Sequence, residues 1–339
     1  MIRNHSWLLA ASVSLLSVVA QAADLKTTVV AKGIDNPSGL ALQGSTGNFF
    51  VAARSGVHRL VLGEKPALTL EIGGFNSDIY GKGPKYNIGP LGVAMQFDNF
   101  LVVADGGNPD EKEVVLYIEV GIAPPKTPWT PKNAIKTIGP IKAGKDSAKG
   151  EGNYYGVALN NDALFVTCNG DDTKGWIARA KFDSDGNPGE LTPFIATKVA
   201  TGVDAPVGIT FSKDGKELVV SQMGEMNVAN DSLLTTYDPA TGKLIKSLKT
   251  GLHDIAGLAF SPKTGKLYVV DFAWIKTSEG GLFELTVDGD KVTAKKVLSL
   301  DKPTSLAFGK DGKLYITEFV TSEDEKKPAG KVIRVDADL

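Results

Sequence analysis

The segment Ile255-Ala256-Gly257-Leu258-Ala259-Phe260-Ser261-Pro262-Lys263-Thr264-Gly265-Lys266-Leu267-Tyr268-Val269-Val270-Asp271 sets two short aliphatic and aromatic runs on either side of a Lys-Thr-Gly-Lys turn. Gly265 supplies the positive φ that a tight hairpin needs, and the flanking residues suit strands. Similar stretches begin at Pro37, Pro90, Tyr154, Pro206 and Pro303, so the hairpin occurs six times, with starts 53, 64, 52, 49 and 48 residues apart. That period fits a four-stranded propeller blade better than any helical repeat.

Working outward from the hairpins, third strands are predicted at Val57–Leu62, Val114–Val120, Trp176–Phe182, Leu233–Tyr237, Leu282–Val287 and Val332–Val335. Fourth strands follow at Ala67–Ile72, Ala134–Ile138, Leu191–Ile195, Lys243–Leu248 and Val292–Leu298, but the sixth copy reaches Leu339 without one. Leu25–Lys32 has strand character, precedes the first copy, and can pair with Val332–Val335. The prediction is therefore an all-β, six-bladed β-propeller closed by the N-terminal strand, which removes free sheet edges. An open solenoid or two β-sandwiches are the alternatives.

Residues 1–22 are set apart from the fold. Arg3, the apolar run Trp7–Ala20 and the small-x-small site Ala20-Gln21-Ala22 read as a cleaved signal peptide, giving a mature chain of residues 23–339. The apolar run has 14 residues, whereas a membrane span needs about 20. The location expected is the periplasm or the exterior, with no membrane span. Without Arg3 the chain carries 36 basic and 39 acidic side chains, a balance that gives no attraction to nucleic acid. Cys168 is the single cysteine, so no disulfide supports the core. A monomer is expected.

The loops joining strand four to strand one, and strand two to strand three, share one face of a propeller. Several are long here: Phe75–Gly89, Ile141–Asn153, Gly224–Ser232, Ala273–Gly280 and Phe319–Gly330. Binding usually resides on such loops, so this face is the candidate. Ala123–Lys132 is a Pro-containing exception predicted to form an extended flap on the other side.

Each second strand ends in a polar residue: Arg54, Asp105, Asn169, Gln222, Asp271 and Glu318. If these converge near the axis they make a polar mouth for a small polar ligand, a partner protein, or a divalent cation such as calcium on Asp105, Asp271 and Glu318. The competing reading is that they satisfy backbone groups at strand ends. Asp271→Asn is expected to leave folding intact if the carboxylate serves a mouth. Tyr80, Tyr86, Tyr154, Tyr155, Phe272 and Trp274 add aromatic surface to the same loops, although Tyr154 and Tyr155 also occupy a core repeat position.

Other chemistry is sparse. After the signal only His58 and His253 remain, which excludes a multi-histidine metal centre. His253 beside Asp254 is a candidate general base, with a loop hydrogen bond the commoner role. Cys168 reads as a buried thiol, and Asp183-Ser184-Asp185-Gly186-Asn187 as a polar hairpin that only partly follows a calcium loop.

The pattern at Pro206–Val220, Ile255–Asp271 and Pro303–Glu318 resembles the six-bladed superfamily of NHL-repeat, strictosidine-synthase-like and senescence-marker-protein (gluconolactonase-like) proteins across essentially the whole mature chain. The resemblance implies fold more than function. In its lactonases a divalent metal sits on acidic and amide residues at first-strand starts. Those slots here hold Ser38, Leu91, Tyr155, Val207, Ala256 and Thr304, none a good ligand. The His base and quinone cradle of the related sugar dehydrogenases are not found. The function expected is an exported binding propeller; the alternative is a metal-dependent hydrolase of lactones or esters.

Overall fold

The computed structural model describes residues 25–170, 173–320 and 327–339. The predicted signal peptide lies outside them. Six four-stranded antiparallel sheets carry the chain, and none closes on itself. Blades 1 to 5 begin at Gly39–Leu42, Pro90–Gln96, Val157–Leu159, Pro206–Phe211 and Ile255–Phe260, and each then runs through its strands in sequence order. The sixth blade contains Pro303–Phe308, Leu314–Glu318, Gly330–Val335 and, as its outer strand, Thr27–Ile34. Thr27 pairs with Val335 and Ile34 with Gly330, so the missing strand comes from the other end of the chain, as its sequence predicts.

The repeated glycine is explained by what faces it. A Cβ on Gly39 would stand 2.5 Å from the Leu91 carbonyl oxygen of the next blade, and one on Gly92 or Gly156 would collide with the carbonyl of Tyr155 or Val207. Innermost strands therefore approach backbone to backbone, which only glycine permits. A bulge occurs beside this position in blades 2, 4, 5 and 6, between Pro90 and Gly92, Pro206 and Ile209, Ile255 and Gly257, and Pro303 and Ser305. In the fourth and sixth blades the Ser221 and Thr317 hydroxyls accept the freed amides of Gly208 and Ser305, at 3.0 Å in each case.

Apolar side chains fill every gap between consecutive blades. Phe50, Val57 and Leu101 belong to the cluster between blades 1 and 2, and Leu40, Phe49, Tyr315 and Val332 join blade 6 to blade 1. One charged pair is sealed inside blade 1. Arg59 and Glu71 have no exposed side-chain surface and meet through two hydrogen bonds of 2.8 and 2.7 Å, with Gln43 accepting a third guanidinium bond at 3.0 Å.

Two loops differ from expectation. Phe75–Gly89, a loop by its sequence, contains a hairpin that pairs Asp78–Tyr80 with Tyr86–Ile88. Part of the Ala123–Lys132 flap returns to the sheet: the Trp129 amide donates to Glu71 and its carbonyl accepts Gly73, so it covers the outer edge of blade 1. Among the described residues no helix is long and apolar enough to cross a membrane.

Candidate functional site

The first-strand starts lie on the axis. Leu91, Tyr155, Val207, Ala256 and Thr304 form the floor of a mouth on the long-loop face. Their hydroxyls hold neighbouring blades together: Thr304 Oγ1 donates to the Pro37 carbonyl at 2.6 Å and Ser38 Oγ to that of Pro90 at 3.2 Å. Tyr155, expected in the blade core, instead crosses the axis, its hydroxyl 3.1 and 3.2 Å from the Thr304 and Ser38 carbonyls. It separates the mouth from a cavity of about 570 Å³ that opens on the other face and is lined by aliphatic and aromatic residues such as Leu42, Val93, Phe211, Phe260 and Phe308. Tyr154, by contrast, is fully buried and accepts the Ile141 amide, the core role its repeat position suggests.

The mouth itself is aromatic. Phe272 and Trp274 stack at 4.7 Å, and Tyr86 packs edge-on against Phe272, Trp274 and Phe319 at 5.7, 5.2 and 5.5 Å. Tyr86 reaches this position because the hairpin at 78–88 lies across the opening, fixed by the Trp274 indole donating to the Pro84 carbonyl at 2.8 Å. Only about 40 Å³ is left beneath it. Beside the hairpin a polar crevice of about 210 Å³ is lined by Tyr80, Lys82, Asn153, Asn169, Asp204 and Glu225.

Of the six second-strand residues, Asn169 alone lines the mouth. The common polar throat expected from Arg54, Asp105, Asn169, Gln222, Asp271 and Glu318 is not what the blades build, because strand geometry turns the others into their own loops. Asp271 is fully buried and accepts the amides of Asp254, His253 and Ala273 at 2.7, 3.0 and 3.2 Å. Asp105 accepts Gly107 N at 2.9 Å and the Asn108 side chain. Glu318 accepts Asp301 N at 3.0 Å and faces Lys331 at 3.4 Å. Gln222 donates to Val203 and accepts the Tyr237 hydroxyl, while Arg54, partly exposed, pairs with Asp35. With its amide oriented to satisfy its neighbours, Asn169 donates to the Pro206 carbonyl at 3.1 Å.

These side chains fasten the chain where it bends into the next innermost strand. Asp271→Asn is therefore expected to weaken the fold, since an amide nitrogen would replace one acceptor. Among the described residues no group of three or more His, Cys, Asp or Glu side chains is placed to hold a metal ion.

His253 is buried, its Nε2 2.6 Å from Glu279 Oε2, which matches the loop-bond reading. Burial and two neighbouring carboxylates, Asp271 and Asp231, raise Asp254 to about 7, against the hydrogen bond from the Trp274 amide. Cys168 is buried and its thiol is pushed well up by desolvation, so it is no nucleophile. Asp183 caps its own hairpin through the amides of Asp185 and Asn187.

Comparison with known proteins agrees with this architecture. Neither a scan against models of protein families nor a search of curated proteins finds a match. Among solved structures, the soluble aldose sugar dehydrogenase of Escherichia coli is similar at TM-score 0.58 and 14% identity, over 91% of this chain and 99% of that one. A putative oxidoreductase (glucose dehydrogenase) of Thermus thermophilus gives TM-score 0.57 at 18% identity, over 91% and 99%. A gluconolactonase of Xanthomonas campestris gives 0.55 at 14%, over 95% and 93%. At these identities the likeness is one of fold: the chain is a six-bladed β-propeller, similar in structure to these sugar dehydrogenase and gluconolactonase propellers.

Proposed function

We propose that this chain is an exported, monomeric binding propeller that takes a small, hydroxyl-rich polar ligand in the crevice beside the hairpin at 78–88. The observation that carries the reading is the juxtaposition of Asn153, Asn169, Asp204, Glu225 and Lys82 with the ring of Tyr80 in one crevice of about 210 Å³. Amide and carboxylate groups beside an aromatic face are the surface that polyhydroxylated molecules use, with hydrogen bonds around a stacked apolar side. Export rests on residues 1–22. The pairing of Thr27–Ile34 with Gly330–Val335, together with the apolar cluster that includes Ile34, Leu40 and Tyr315, supports the N-terminal strand as the latch that closes the ring.

The hydrolase alternative has less support, because the axial slots hold Ser38, Leu91, Tyr155, Val207, Ala256 and Thr304, whose hydroxyls bond to backbone carbonyls of this scaffold. A cation on Asp105, Asp271 and Glu318 would have to displace the backbone amides those carboxylates accept. Saturation-transfer NMR against monosaccharides, sugar acids and polyols tests the binding reading. A hit weakened at least about tenfold, or ~1.4 kcal/mol, by Asn153→Ala supports it. A panel without hits removes it, and turnover of any lactone or ester with added calcium or manganese restores the alternative.

A further inference from the structure

Between blades 2 and 3, away from the axis, the loop after Asp105 packs on the segment that leads to the third blade. Glu111 N donates to the Glu151 carbonyl at 3.0 Å, Ala143 N to Glu111 Oε1 at 2.6 Å, and Glu151 N to the Ile141 carbonyl at 2.9 Å. Glu113 lies inside this seam with no exposed surface, and neither of its carboxylate oxygens has a hydrogen-bond partner. The amides of Asn153 and Tyr154 are close enough to favour its ionised form, but neither completes a bond. The charged groups acting on it are carboxylates, Asp105 and Asp110, and burial with these neighbours raises it to about 10. Glu151, also fully buried, stands close by and accepts the Ser147 hydroxyl at 2.7 Å.

A buried carboxylate among carboxylates must be neutralised by a proton or by a cation. A proton on Glu113 removes one charge, leaves the facing Asp110 carboxylate ionised, and forms no hydrogen bond where the Glu113 oxygens stand. The second route has a built place. A Cβ on Gly152 would stand 2.7 Å from Glu113 Oε2 and in collision with Asp110 Oδ1, so both oxygens converge on a niche that only glycine leaves open. The same Asp110 oxygen is 2.9 Å from a Cβ built on Gly170. Oxygens flanking one such point stand within about 5 Å of each other, the widest separation that two ligands of one Ca²⁺ allow.

We propose that Asp110 and Glu113 bind a calcium-class divalent cation in this niche, which pins the loop after Asp105 to the segment before blade 3. Two carboxylate oxygens and six to eight positions in all leave backbone carbonyls and water to complete the shell, a mixture Ca²⁺ accepts and Mg²⁺, with its tighter octahedron, accepts less readily. The niche adjoins the crevice, since Gly152 and Gly170 are the chain neighbours of Asn153 and Asn169, but its two carboxylate ligands line neither the crevice nor the second-strand ends.

Isothermal titration of CaCl₂ into the chelator-treated, desalted protein tests this, with melting temperature as a second readout. The wild type is expected to bind one Ca²⁺ in this niche, to melt several degrees higher at millimolar Ca²⁺, and to bind Mg²⁺ at least about tenfold more weakly. Glu113→Gln and Asp110→Asn keep the shape of the niche and are expected to lose at least about tenfold in affinity, or ~1.4 kcal/mol, while melting cooperatively without metal. The proposal is overturned if the wild type neither binds nor shifts at millimolar Ca²⁺, or if both variants bind as the wild type does. It is likewise overturned if Asp271→Asn or Glu318→Gln abolishes binding and the two niche variants do not, since the cation then sits elsewhere.

Discussion

Asp271 and Glu113 are both wholly buried carboxylates near the long-loop face, and they behave as opposites. Asp271 sits at a repeat position and its oxygens accept three backbone amides. Glu113 sits between repeat positions and accepts none. The difference teaches where to look for function in a repeat protein: a polar residue that recurs in every copy answers a need of the blade, while a polar residue outside the pattern has no scaffold reason to be there. Six polar strand ends in a row were the most conspicuous feature of this chain, and they are largely architecture.

Substitution should separate the two kinds of carboxylate, and the largest effect belongs to the scaffold. Asp271→Ala strands the amides of His253, Asp254 and Ala273, and at about 1–3 kcal/mol for each unsatisfied buried group the loss in urea unfolding should exceed ~3 kcal/mol. An effect below about 1 kcal/mol would mean that the loop repairs itself and that this carboxylate is no fastener.

Asp254 offers a test by pH. Its folded value of about 7 lies above the ordinary 3.8, so the folded chain holds a proton that the unfolded chain has released. Its stabilisation is full below about pH 4 and is lost as pH rises towards 7, since stability falls wherever the folded state binds more protons. Asp254→Asn should flatten that decline and gain roughly 1–2 kcal/mol at pH 8 relative to the parent, provided the Asn oxygen keeps the Trp274 amide. Melting curves at pH 5 and pH 8 check it, and equal pH slopes in parent and variant would count against a raised Asp254.

Glu113→Gln should sharpen the contrast with Asp271 by having the reverse sign. In chelator Glu113 has to take up a proton to stay buried at neutral pH, a cost that Gln does not carry, and Gln removes no hydrogen bond, so stability should rise by about 1 kcal/mol, where an Asn at 271 lowers it. Smallest is Lys82→Ala. The Lys82–Glu225 pair spans the hairpin and blade 4 at 3.1 Å, yet its side chains are 63% and 44% exposed, so the cost should stay below about 0.5 kcal/mol. A larger cost would show that the hairpin is held to the mouth by charge and not by Tyr86 and Trp274.

Much of the molecule was legible before any coordinates. Gly-aliphatic-Ala followed by a Gly turn, as at Gly257-Leu258-Ala259 and Gly265, marks an innermost strand and its hairpin because close backbone approach and positive φ each demand glycine. The outer strand of blade 6 was found by counting: a copy short of a strand at one end and a spare strand at the other. The hairpin across the mouth was overlooked although Tyr80-Gly81-Lys82-Gly83-Pro84-Lys85-Tyr86 carries turn residues between two tyrosines, a hairpin signal hidden in an unusually long loop.

The sequence alone determined the blade count, the strand order within each blade and the face that carries the long loops, since these follow from periodicity and turn chemistry, which are local. Only the tertiary structure decided where polar side chains point. Whether Asp105 or Asp271 faces the axis or its own loop depends on the pleat and on the bulge at each first-strand start, and whether Asp110 and Glu113 meet Gly152 depends on two distant loops packing together. A shift of one residue in a strand turns a side chain to the opposite face, and nothing in a list of residues records that choice.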